Sequence, residues 1–192
     1  ADYLKMADGA TFSANPVQPT VLSMAPVSTF GFLGANPTGT ITVQGGTVNN
    51  ASTLTLVGRD IVDGNGNTTT PGILVTGGTL SNPDGQINLV SVGLPQDLVK
   101  GGEIQAPSLT SAPAPSGHAF STMGEITLSR ASLDTSGTTG GGVVIRGGQL
   151  TIDNGRITAN KTGNTSDSPA GIDIKLDGAF ALNLSEQILV LD

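Results

Sequence analysis

Carboxylates are the most numerous groups in this chain with any chemistry to offer: 15 Asp and Glu stand against 8 Lys and Arg and one His. Acids cleave polysaccharides when two are paired for acid and base work, or when several gather around calcium with a Lys or Arg nearby. The sequence has no Asp-Asp pair and no ladder of acids, and Asp134, Asp153, Asp173 and Asp177 could align only through a coincidence of register. His118 is the sole histidine and lies in a proline-rich stretch with no Ser, Cys or metal-ligand partner at motif spacing, which marks a solvated loop residue. Ser121 and Ser129 lack the context of a nucleophile elbow.

Asp63-Gly-Asn65-Gly-Asn67 resembles the first half of a calcium loop, with oxygens at alternate positions. Its second half fails, because Thr68 stands where the sharp turn needs glycine and Leu74 where a bidentate Glu belongs. An ordinary Asn-Gly turn accounts for it. Sequons at Asn50, Asn67, Asn160, Asn164 and Asn183 follow from a composition rich in Asn and Thr and indicate exposed turns. The residues therefore assign no catalytic, cofactor-binding or metal site, and the expectation is a protein that is not an enzyme.

The elements that would position any site are legible from composition and repetition. The 192 residues are 36% hydrophobic and 12% charged, with 28 Gly, 3% aromatics and no Trp, so a core must be built from thin layers of Val, Ile, Leu and Ala. Lys, Glu and Arg are too scarce to clothe helices, and strands are expected almost throughout. A net charge of -7 with dispersed Lys and Arg argues against nucleic acid as a partner. Without cysteine there is neither a disulfide framework nor a thiolate metal site. No apolar stretch approaches the roughly 18–20 residues of a spanning helix. The opening Ala1-Asp-Tyr-Leu-Lys5 has no signal pattern, which suggests a processed protein or a piece of a longer one.

Two motifs recur. Gly, any residue, Ile or Val, any residue and an aliphatic appear at Gly39–Val43, Gly85–Leu89, Gly124–Leu128 and Gly141–Ile145, and with Ala at Ala170–Ile174. Each reads as a short strand with one apolar face. Gly-Gly, any residue and an aliphatic appear at Gly45–Val48, Gly77–Leu80, Gly101–Ile104 and Gly147–Leu150. Strands joined by Gly-Gly corners bend without reversing, which suits a solenoid of roughly 20–25 residues per coil better than an antiparallel sandwich. The prolines at 95, 107, 113 and 115 place an excursion outside the ladder, since each lacks the N–H a ladder needs. The resulting expectation is one all-β domain, a parallel β-helix over 1–192 with extra-helical loops: 1–34 as a flank or cap, 35–93 as coils, 94–123 as the excursion and 124–192 as coils.

At Phe12-Ser-Ala14, Pro26–Phe32 and Asn36-Pro-Thr-Gly-Thr-Ile-Thr-Val43 the sequence resembles the downstream end of a haemagglutination-activity, or two-partner secretion, domain. Leu54–Ile61, Asp84–Val92, Gly124–Ser129 and Val144–Gly148 are similar to the tandem coils of large adhesins, so the likeness to the filamentous-haemagglutinin family spans nearly the whole chain. That resemblance implies a right-handed parallel β-helix, export through an outer-membrane β-barrel transporter, and display at the bacterial cell surface or outside the cell as an adhesive or structural rod. An adhesive rod implies a host-cell, glycan or matrix ligand, and a solenoid cut across its axis exposes strand edges that invite end-to-end self-association. The first half of the family's secretion domain has no counterpart here and Asn36–Gly39 only loosely echoes its turn motifs, so transporter recognition itself is not carried over. The alternatives are a self-assembling filament subunit and a β-helical enzyme acting on polysaccharide.

Overall fold

A computed structural model describes residues 1–14, 17, 20–21, 23–33, 39–50, 52–95, 97, 101–106, 120–164 and 171–183. These form an all-β structure with almost no helix. The chain opens with Tyr3–Met6 (β1), Thr11–Ser13 (β2) and Val27–Phe32 (β3). A triplet follows, Ile41–Gln44 (β4), Thr47–Asn49 (β5) and Thr53–Arg59 (β6), and then a hairpin of Ile61–Val62 (β7) and Thr68–Thr70 (β8). The triplet returns as Ile73–Thr76 (β9), Thr79–Ser81 (β10) and Gln86–Val92 (β11). After Gly102–Gln105 (β12) it returns again as Glu125–Ser129 (β13), Ser132–Asp134 (β14) and Gly142–Gly147 (β15). Gln149–Asp153 (β16), Arg156–Thr158 (β17) and Gly171–Leu176 (β18) make the next round, and Phe180–Asn183 (β19) begins another.

Equivalent strands of successive rounds pair in parallel. One sheet runs β4-β9-β13-β16-β19, the second β5-β10-β14-β17 and the third β6-β11-β15-β18. The register superposes like on like: Ile41, Ile73, Ile126 and Leu150 are partners in turn, as are Val48, Leu80, Leu133 and Ile157, and Leu54, Ile87, Val143 and Ile172. Alternation along each strand turns these residues to one side. Ile73, Val75, Leu80, Ile87, Leu89, Ile126, Leu128, Leu133, Val143, Ile145, Leu150, Ile152 and Ile157 form one buried cluster, with Val43, Leu54, Leu56, Ile172 and Ile174 partly buried against it. Of the alternating aliphatics in the five copies of the first motif, only Ile41 lies apart from that cluster; it lines a hollow with Leu4 and Phe30 beside the first round.

The first corner of each round, between the first and second sheets, is a column of left-handed residues: Gly45 (φ 63°), Gly77 (φ 62°), Arg130 (φ 50°) and Asn154 (φ 49°). Each donates its N–H to the round above, to the carbonyls of Thr76, Ser129, Asp153 and Asn183 in turn. The Gly-Gly motif thus marks this corner at Gly45-Gly46 and Gly77-Gly78, whereas Arg130-Ala131 and Asn154-Gly155 build it elsewhere. The other two copies do different work, since Gly101-Gly102 opens β12 and Gly147-Gly148 ends β15 and leads into β16.

The opening strands form a separate antiparallel sheet of order β12-β3-β1-β2, with β12 at its edge. Residues around β12 leave the stacks after Val92 and return at Met123, where the two form an antiparallel bridge. Phe32 of the opening and Ile104 and Phe120 of this return path bury together on Val57, Val90 and Val92, a second core outside the first. Phe32 and Phe120 meet edge to face at 5.7 Å, a favoured aromatic geometry. Gly31 admits the Tyr3 ring, since a Cβ there would lie 2.0 Å from Tyr3 Cζ. Tyr3 in turn donates its hydroxyl to Glu103, which also receives Lys5.

Candidate functional site

The third corner, where each round passes from the third sheet back to the first, is the irregular one. The hairpin β7–β8 leaves here in the first round and the path through β12 in the second, while later rounds turn with little more than Gly148 or Asp177–Ala179. Long insertions on two rounds beside minimal turns on the next two leave a cleft along the corner. Val62, Gly66 and Thr68 line one side, Gly93, Leu94, Ser121, Thr122 and Met123 the other, and Asp60, Glu125, Gly148, Gln149, Gly178 and Ala179 complete it. Its volume is about 390 Å³. Glycine at the floor is a packing requirement, because a Cβ at Gly148 would sit 2.4 Å from the Met123 carbonyl oxygen and one at Gly178 2.7 Å from that of Gly148.

Asp60 fastens this corner. Its Oδ1 accepts from the Gly72 amide at 2.6 Å, the Glu125 amide at 2.8 Å and the Ser91 hydroxyl at 3.3 Å. Its Oδ2 accepts from the Glu125 amide at 3.0 Å and the Thr68 hydroxyl at 3.2 Å. One carboxylate thereby ties three rounds and the hairpin. Burial pushes its pKa above the usual carboxylate range against the pull of the Glu125 and Gly72 amides and the Thr68 hydroxyl, and the nearby Glu125 charge adds to the rise. With four donors making five contacts on its two oxygens, Asp60 has no lone pair to spare for a substrate, so it holds the cleft's shape.

The acids singled out in the sequence are not brought together. Asp153 lies in the first sheet beside Ser129, Asp134 in the second beside Thr158, and Asp173 in the third, where it pairs with the buried Arg146 at 2.5 Å; Asp177 follows β18. The Asp63 loop is a turn closed on itself, with Asp63 Oδ1 accepting from the Asn65 and Asn67 amides at 2.8 and 2.9 Å. Asp84 does similar work between rounds, accepting from the Thr139 hydroxyl and amide and the Gly140 amide, which hold its pKa low. Among the described residues no three His, Asp or Glu could jointly hold a metal ion. His118 lies outside the described residues. Ser121 reaches the cleft wall, where its hydroxyl donates to the Leu94 carbonyl. The approach of Asp60 to Glu125, 65 positions apart, has no signal in the sequence, since it depends on how two insertions of unlike length bring the rounds into register.

A scan with protein-family models finds no match to this chain, and searches of curated proteins and of solved structures find no significant one.

Proposed function

We propose that the chain is a right-handed parallel β-helix with extra-helical loops, serving as a structural or adhesive rod segment of a large bacterial surface or secreted protein exported through an outer-membrane β-barrel transporter. The observation that carries the reading is the order of the strands: three parallel sheets entered in one unvarying sequence, with like residues stacked on a continuous aliphatic core. Such a column keeps its cross-section as it lengthens and suits a spacer that presents loops at its corners. The reading is non-enzymatic, and the saturated Asp60 supports that. Beads coated with the folded chain are expected to adhere to host cells or matrix above an uncoated control, and incubation with pectin, chitin or cellulose to release no shortened or unsaturated oligosaccharide. Release that Glu125→Gln abolishes would reassign the chain to the polysaccharide-cleaving enzymes.

A filament subunit is the second reading, favoured by the aliphatics at both ends of the described stacks. Ile41, Val43, Leu54 and Leu56 at one end and Ile172, Ile174 and Leu182 at the other are only partly buried, and Phe180 is 50% exposed. Among the described residues the strands there are the last of their sheets, and an unpaired edge invites end-to-end pairing. Electron microscopy separates the two: short single rods support the spacer, long fibres the filament.

A further inference from the structure

We propose that the corner cleft binds a short stretch of uncharged saccharide, an inference that rests on the adhesive reading and gives it a place and a ligand chemistry. At about 390 Å³ the cleft falls within the roughly 300–1,000 Å³ of small-ligand sites. Its uncharged polar side chains are hydroxyls and an amide: Thr122 and Gln149 can donate and accept as sugar hydroxyls require, while Thr68 and Ser121, whose hydroxyl protons go to Asp60 and the Leu94 carbonyl, can accept. Val62, Leu94 and Met123 supply aliphatic surface for the C–H face of a ring. Asp60, fully occupied by internal donors, keeps the walls at their spacing.

Charge narrows the class. Glu125 is partly exposed at the cleft, and among the described lining residues there is no Lys, Arg or His, so uronic, sialic and sulfated sugars meet repulsion with no counter-charge. Strand edges argue against an extended peptide. β15 pairs on both sides with β11 and β18, and β16 with β13 and β19, so the floor offers no ladder edge to extend.

The test is amide chemical-shift mapping of the whole chain with cellotriose, maltotriose and chitotriose, using trigalacturonate as the anionic control. A neutral trisaccharide is expected to produce saturable shifts centred on Thr122, Gly148, Gln149 and Gly178, and trigalacturonate none. Gln149→Ala and Thr122→Ala are expected to weaken binding at least tenfold at an unchanged melting temperature. The proposal is overturned if no neutral probe moves those amides, if Gln149→Ala binds as the parent does, or if trigalacturonate binds more tightly. Any of these results in a chain that adheres to cells would leave the adhesive rod standing with its ligand elsewhere, whereas loss of adhesion with the cleft still binding sugar would remove the rod's role alone.

Discussion

Two single residues test the interior most sharply. Ile126 is fully buried between Ile73 and Leu150, so Ile126→Asp strands a carboxylate without partners and is expected to cost several kcal/mol, a large part of the ~5–15 kcal/mol that holds a typical domain. Thermal melting checks it, and a variant as stable as the parent means that the strand faces the other way. At Asp60 the sign of the pH dependence is the informative quantity. Its folded pKa lies above the ordinary value of 3.8, so the contribution is intact below that value and is lost as pH rises through the folded pKa. The parent's advantage over Asp60→Asn in melting temperature is therefore expected to be greatest near pH 4 and to shrink toward neutrality; an advantage that grows with pH would mean that the four donors outweigh burial. Asp84, held low by Thr139 and Gly140, works in the opposite sense and loosens its turn as the medium becomes acid. The inward aliphatics could be read from the alternation of Ile87-Asn-Leu89 or Val143-Val-Ile145, because period two is a local property. The role of Asp60 could not, since its donors come from Gly72, Ser91 and Glu125 on other rounds.

Corners are where elements reveal what a motif means. A left-handed backbone costs an L-residue about 1–2 kcal/mol, so Gly77→Ala is expected to lower stability by roughly 1 kcal/mol although its side chain would meet open space. Arg130→Gly is expected to raise stability, by a little less because glycine also gains freedom in the unfolded chain. Denaturant titration of both variants reads this out, and equal and opposite signs from those stated would show that the corner is not left-handed. Gly-Gly was legible as a corner only where glycine supplies the conformation. Arg130-Ala131 is hidden because hydrogen bonding to Asp153 imposes the same geometry on residues that do not prefer it. The antiparallel sheet of β1, β2, β3 and β12 was likewise beyond local reading: it joins Phe30 to Ile104 and Leu4 to Phe12 across separations that no periodicity records.

At the scale of the whole molecule, parallel, in-register stacking of three sheets is the feature that separates the proposed rod from a sandwich of similar strands. The chain has no cysteine, so pairs introduced into it report cleanly on proximity. Outward-facing register partners offer one pair per sheet: Thr127 with Thr151, Ser132 with Arg156 and Val144 with Asp173. Neighbouring strands lie about 4.8 Å apart, within the separation a disulfide spans. The decisive measurement is oxidation of the three double-cysteine variants, with Thr127 and Asn183 as a pair two rounds apart for control, followed by mass spectrometry of the cross-linked peptides. In-register stacking predicts an intramolecular disulfide in each of the three and none in the control; a chain in which these pairs stay reduced while its strand content and melting are unchanged would contradict it.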